Sequence, residues 1–214
     1  MRSFERLKKC LALSVIVIGC TSSPPAVPSG TDDTPIDILS DPRQEIINSP
    51  DSIKIKVSDI DFAIALRATY AISGIVLSKK NYRSGWSAML APCDFALGWG
   101  DLVKDETYKQ LHWSQSNRWY HWRYGSGFTR DNNFVARYSS NNHIVPATEN
   151  LARAVKSLKR GDVVELGGYL VNINGNKDGT PYWWCSSVRR DDTGDNSCEV
   201  IYVTRLRTKG LLFE

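Results

Sequence analysis

Period-two alternation of apolar and polar side chains governs the chain from Ser52 onward, and it restricts the fold to one built of half-buried strands. Ile53, Ile55 and Val57 alternate with Lys54 and Lys56, and Thr69 to Leu77 continues in β-branched and aromatic residues, with Gly74 expected to mark a bulge or sharp bend. Further strands are predicted at Trp86–Leu90, Gln110–Gln115, Arg118–Tyr124, Phe134–Tyr138, Asp162–Leu166, Tyr169–Ile173, Tyr182–Ser187 and Glu199–Leu206. One stretch breaks the pattern. After Pro146, Glu149 opens a helical spacing in which Leu151, Val155 and Leu158 form an apolar stripe, closed by Lys159, Arg160 and Gly161. The expected fold is mainly β (α+β), a small closed or partly open β-barrel with one inserted helix.

The helix runs into Asp162-Val163-Val164-Glu165-Leu166-Gly167-Gly168-Tyr169, which reads as a strand bending at its paired glycines. A helix feeding such a strand resembles the small barrels of the oligonucleotide/oligosaccharide-binding (OB) kind, a likeness of shape only. Two hairpins follow, one turning within Asn174–Gly179 and the other at the charged loop Arg189–Asn196. Arg153, Lys156, Lys159 and Arg160 line the polar side of the helix, where they complement its dipole.

The first residues carry an address rather than a fold. Basic residues at Arg2, Arg6, Lys8 and Lys9 precede an apolar run, Leu11 to Ile18, shorter than the roughly 20 residues that span a bilayer. The run ends in Val17-Ile18-Gly19-Cys20, which resembles the lipobox of bacterial lipoproteins. The resemblance implies a signal peptide over residues 1–19, removal before Cys20, and acyl chains on Cys20 that hold the protein to a membrane. Thr21, and no aspartate, follows Cys20, which by the same resemblance points to the outer membrane.

Residues 20–51 contain six of the nine prolines and read as a flexible, acidic, Pro/Ser-rich tether, net −5. Ile36, Ile38, Leu39, Ile46 and Ile47 interrupt its polarity and give parts of it a means to dock. Residues 52–214 form the single β-rich domain, about 160 residues and large enough for its own core. That domain is net +6, a balance too mild to argue for nucleic acid by itself.

Once Cys10 leaves with the signal and Cys20 carries lipid, Cys93, Cys185 and Cys198 remain. A bridge between Cys185 and Cys198 would close a short loop and contribute about 3 kcal/mol, provided strand geometry brings the two within reach. A bridge from Cys93 to either one is the competing arrangement, and no Cys-x-x-Cys pair suggests thiol exchange or a zinc ribbon.

The densest chemistry is Arg118-Trp119-Tyr120-His121-Trp122-Arg123-Tyr124. On a strand, Trp119, His121 and Arg123 share one side, while Arg118, Tyr120, Trp122 and Tyr124 share the other. Either side combines rings with a cation, the means to stack a sugar or base and hold an anionic group. Packing competes for the same rings, since all seven tryptophans of the chain fall in this domain.

Several enzyme-like fragments each lack a required part. Asn142-His143-Ile144-Val145-Pro146 resembles the first half of an HNH nuclease motif, yet no histidine follows His143 to complete a metal site. Asp192-Thr193-Gly194 matches an aspartic-protease triplet with no second copy. Asn174, Asn176 and Asp178 begin a calcium-loop spacing whose twelfth position is Cys185. Nucleophile elbows, phosphate loops and metalloprotease helices are absent, so neither a metal nor a cofactor is expected.

The set Asp94-Phe95-Ala96-Leu97-Gly98-Trp99-Gly100, Arg118-Trp119-Tyr120, Asn142–Ala147 and Asp192-Thr193-Gly194 with Cys198-Glu199 resembles that of a group of small uncharacterised bacterial envelope proteins. That resemblance implies no chemistry. The expected function is a membrane-anchored envelope lipoprotein binding an envelope protein or glycan without catalysis, with Arg118 to Tyr124 and His143 as candidate ligand contacts. One alternative is a small envelope hydrolase using His143 with Asp94 or Asp101. The other is single-strand nucleic-acid binding, for which the charge alone is too mild an argument and which predicts steep salt dependence.

Overall fold

The longest alternating stretch becomes one continuous strand, β3 (Ile60–Asn81), and the rest of the fold is organised along it. The computed structural model describes residues 25–30, 35–49, 51–189 and 198–214. Before β3 come β1 (Arg43–Ile46) and β2 (Ser52–Val57). After it follow α1 (Trp86–Leu90), β4 (Cys93–Gly98), α2 (Asp101–Lys104), β5 (Leu111–Ser116), β6 (Trp119–Tyr124), α3 (Asn132–Arg137), β7 (Ser139–Pro146) and α4 (Glu149–Ser157). The chain ends in β8 (Val163–Lys177), β9 (Thr180–Cys185), β10 (Glu199–Thr208) and β11 (Leu211–Phe213).

Five strands close a ring. β3 pairs with β4, β4 with β7, β7 with β10, β10 with β8, and β8 returns to β3. Every pairing is antiparallel except β7 with β10, and α4 is inserted between the third and fourth strands of the ring. This is the expected β-rich α+β fold, with an OB-like strand order.

Inward side chains of the ring, among them Tyr70, Phe95, Leu97, Ile144, Leu166, Leu170 and Ile201, meet Leu151, Ala154, Val155 and Leu158 of α4 in the main core. The helix forms where its spacing predicts. Thr148 caps its start by accepting from the Leu151 amide at 3.2 Å. At its end Lys79 Nζ donates to the carbonyls of Val155, Lys156 and Leu158 at 3.1, 2.8 and 2.9 Å.

The ring bends at register shifts. One opposes the paired glycines, between Val203 and Arg205 of β10, where a Cβ on Gly168 would stand 2.0 Å from the Tyr202 carbonyl oxygen. Gly74 is not a bulge. The shifts in β3 fall at Leu66/Ala68 and Val76/Ser78, and Gly74 instead lets β4 approach closely, since its Cβ would meet the Gly98 oxygen at 3.0 Å.

Four other expectations change. Trp86–Leu90 is a helix rather than a strand, because Gly85 and Pro92 bound it and Ala88 and Leu90 turn inward together. Phe134–Tyr138 falls mostly in α3, whose start is fixed by Asp131 accepting from the Phe134 amide at 2.8 Å. The two strands expected either side of Gly167-Gly168 are one, β8. The tether over residues 20–51 is not free along its described part: β1 pairs with β3 through Arg43–Ile46, and Ile38 accepts from the Gly100 amide at 3.0 Å. Asp41 also accepts from Trp99 Nε1 at 3.3 Å.

The lipobox, Cys20, most of the charged cysteine loop and Asp192-Thr193-Gly194 lie outside the described residues. No helix among the described residues is long and apolar enough to cross a membrane.

Candidate functional site

β5 and β6 form a hairpin that lies over the outer side of β4 and β7. Asp94 of β4 and His143 of β7 are register partners, and they point away from the main core because their neighbours Cys93 and Ile144 point into it. The hairpin turns on Asn117 and Arg118, both left-handed at φ 49° and 68°. That turn aims Arg118 down into the layer beneath.

Arg118 makes three side-chain hydrogen bonds there. Nη1 donates to Asp94 Oδ1 at 2.6 Å and to the Ala91 carbonyl at 3.0 Å, and Nη2 donates to Ser87 Oγ at 3.1 Å. Its guanidinium lies 3.7 Å from the centre of the Tyr82 ring and 5.1 Å from that of Trp184. Asp94 is fully buried, so this is a desolvated ion pair whose charges require one another. Burial first, and then the Asp94 charge, push the Tyr82 phenol up to about 12.

Backbone and amide contacts fasten the rest of the hairpin. Asn141 Nδ2 donates to the Arg118 carbonyl at 2.6 Å, and the Arg118 amide donates to the Tyr82 hydroxyl at 3.2 Å. Gln115 Nε2 donates to Asn141 Oδ1 at 3.0 Å, and the hydroxyls of Tyr120 and Ser139 lie 3.2 Å apart.

His143 is packed in this layer. Its ring sits 4.5 Å from the Trp184 indole, and Nδ1 lies 3.0 Å from Asp94 Oδ1 without hydrogen-bond alignment. The side chain is 3% exposed. A general base needs its nitrogen within reach of a substrate proton. Here Asp94 Oδ1 is taken by Arg118, Oδ2 is buried without a hydrogen-bond partner, and the imidazole is covered by Trp184, which closes the pair off from solvent. Asp101, the other carboxylate considered beside His143, accepts from the Tyr138 hydroxyl at 3.1 Å.

The seven-residue motif divides between two sides. Tyr120 and Trp122 face inward and pack with Trp113, at ring separations of 6.3 and 6.1 Å from it. Trp119, His121 and Arg123 face outward and are exposed, opposite Ser116, Ser114 and His112 on β5. Ser116 Oγ lies 3.1 Å from His121 Nε2. Tyr124 departs from the expected alternation. Although its side of the strand turns inward, it is exposed, stacked on Phe128 at 4.8 Å and hydrogen-bonded to Asn132. Its register partner Leu111 stays in the core, so only the β6 end of this pair turns out to solvent.

No bridge joins Cys185 and Cys198 among the described residues. The segments that hold them are joined instead by the Ser187 amide donating to the Cys198 carbonyl at 3.0 Å, while Cys198 Sγ accepts from Asn141 at 3.4 Å. The described residues contain no group of three or more His, Cys, Asp or Glu placed to hold a metal ion. Tyr82, Ser87 and Trp184 complete the Arg118 network and were not singled out from the sequence, because they belong to three separate segments that only the ring topology unites. No protein-family model, curated protein or solved structure matches the chain.

Proposed function

We propose that this chain is a membrane-tethered, non-enzymatic binding module of the bacterial envelope, presenting the outer side of the β5–β6 hairpin to an envelope protein or glycan. The observation that carries the reading is the division of the hairpin. Its inner side is fixed by an arginine paired with a fully buried carboxylate, so Trp119, His121 and Arg123 stand in a row on a well-anchored support. An indole, an imidazole and a guanidinium flanked by serine hydroxyls suit a surface offering both an apolar face and an acidic group. The His143 hydrolase reading is less well supported, because that ring is enclosed. Trp122 belongs to packing and is not part of the recognition row.

Lipid on Cys20 is part of the same proposal. Mass spectrometry of the mature chain is expected to find acylated Cys20, and an unmodified cysteine overturns the tether. For the hairpin, the chain is sedimented with isolated cell-wall sacculi and, separately, titrated with detergent-extracted envelope proteins. Trp119→Ala with Arg123→Ala is expected to weaken one of these interactions by about tenfold or more while the circular dichroism spectrum is retained. Unchanged affinity for both preparations removes the hairpin from the function.

A further inference from the structure

The sheet continues past the ring. The first part of β3 and the last part of β8 run on together, flanked by β2 on one side and β9 on the other. One face of this four-stranded extension is packed by Phe62, Ile64, Ile173, Tyr182 and Trp184. The opposite face is open, and its composition differs from an ordinary solvated sheet.

Register places Lys54, Ala63, Asn174 and Trp183 side by side across the four strands. Trp183 is 64% exposed, the most exposed aromatic side chain among the described residues, while its neighbour Trp184 is used for packing on the other face. Ala63 leaves a depression between longer side chains, and a groove of about 560 Å³ lies there, bordered by Lys54, Lys56, Asp61, Asn174 and Asn176. Lys56 has Asp61 at 3.9 Å, whereas Lys54 has no acidic partner among the described residues. Asn176 uses its oxygen to accept from the Gly179 amide at 3.1 Å, which leaves its amide nitrogen to donate outward. Beside this row, the buried Asn172 Oδ1 has no hydrogen-bond partner.

An exposed indole gains nothing from water, and side-chain amides around a depression offer paired donors and acceptors. Together they match a sugar ring, whose C–H face stacks on an aromatic plane while its hydroxyls need hydrogen bonds at the edge. The row crosses three strand spacings, about 14 Å. That length suits a short oligosaccharide better than a single ring, and the unpaired ammonium at the far end suits an acidic one.

We infer that the outward face of β2, β3, β8 and β9 is a binding site for an acidic oligosaccharide, with Trp183 stacking one ring, Asn174 and Asn176 holding hydroxyls, and Lys54 pairing with a carboxylate. This face lies apart from the hairpin row, so either can fail alone. The test uses the full chain with trigalacturonate as probe and maltotriose as the neutral control, followed by calorimetry and tryptophan emission.

Trigalacturonate is expected to bind more tightly than maltotriose and to alter the emission. Trp183→Ala should weaken it by about tenfold or more, and Lys54→Gln should bring it down to the level of maltotriose, while Trp119→Ala leaves it unchanged. These positions are exposed, so the circular dichroism spectrum should stay constant. No binding up to about 10 mM overturns the inference, as does full affinity in Trp183→Ala or equal affinity for the two sugars. Loss in Trp119→Ala but not in Trp183→Ala also overturns it, and assigns the sugar to the hairpin instead.

Discussion

Replacing Arg118 with alanine separates a hairpin that is held from one that merely rests on the ring. The substitution leaves the Asp94 carboxylate fully buried with its charge partner gone, and it deletes the stack on Tyr82. Removing one partner of a buried ion pair costs about 3–5 kcal/mol. The Arg118 side chain is 18% exposed, so solvent screening takes little from that figure. At about 2–4 °C per kcal/mol for a domain of this size, Tm should fall by about 10 °C. Thermal unfolding followed by circular dichroism measures the loss, and hydrogen exchange locates it. Amides of β5 and β6 should exchange faster while those of β3 and β8 keep their protection. Arg118→Leu combined with Asp94→Leu should recover part of the stability, since no orphan charge remains. An Arg118→Ala chain within about 1 kcal/mol of the parent, with hairpin exchange unchanged, refutes the reasoning.

Three further outcomes follow from groups around the ring. Because Tyr82 is raised to about 12 from 10.0, the unfolded chain ionises first. The stability it contributes is whole below pH 10 and is lost as pH climbs toward 12. Tyr82→Phe should therefore flatten the fall in denaturant midpoint between pH 9 and 11, and an identical slope in both chains counts against the assignment. Burial likewise pushes the Cys93 thiol up to about 12, so at pH 8 it should resist an aromatic disulfide reagent until the chain unfolds. Rapid native labelling of Cys93 in a Cys185→Ser, Cys198→Ser background contradicts its placement. Finally, Lys79→Met strips the cap from the end of α4 and should lower stability in urea by about 1–2 kcal/mol, an effect absent if those three carbonyls are served by water.

Much of the architecture is legible where burial is one-sided. The alternation at Ile53–Val57, the stripe of α4 and the paired glycines each announce a strand, a helix and a bend that the fold contains. The failures have a common cause. β4 and β7 are covered on both sides, so Cys93–Gly98 shows no alternation and Ser139-Ser140-Asn141-Asn142-His143 reads as a polar loop although every member is buried. Their polarity makes sense only beneath the hairpin, whose Gln115, Arg118 and Tyr120 meet Asn141, Asp94 and Ser139. The same cover misled the site reading. Arg118 looked like half of a recognition strand because a partner 24 positions away in sequence is invisible to local spacing. Trp119, His121 and Arg123 were correctly grouped on one side, since period two needs no tertiary information. Alternation likewise separates Trp183 from Trp184, but only the register shows which of the two meets the core.

The 22 residues of β3 measure about 70 Å along the strand at ordinary rise, and they belong at once to the ring and to the open extension. A single backbone joins Ala63, at the trough floor, to Lys79, at the foot of α4, with ladder bonds to β8 along most of the way. Such a beam bends at its two register shifts but is nowhere interrupted. Any guest at its outer end meets a surface shaped in advance, and capture proceeds without two lobes folding shut around it.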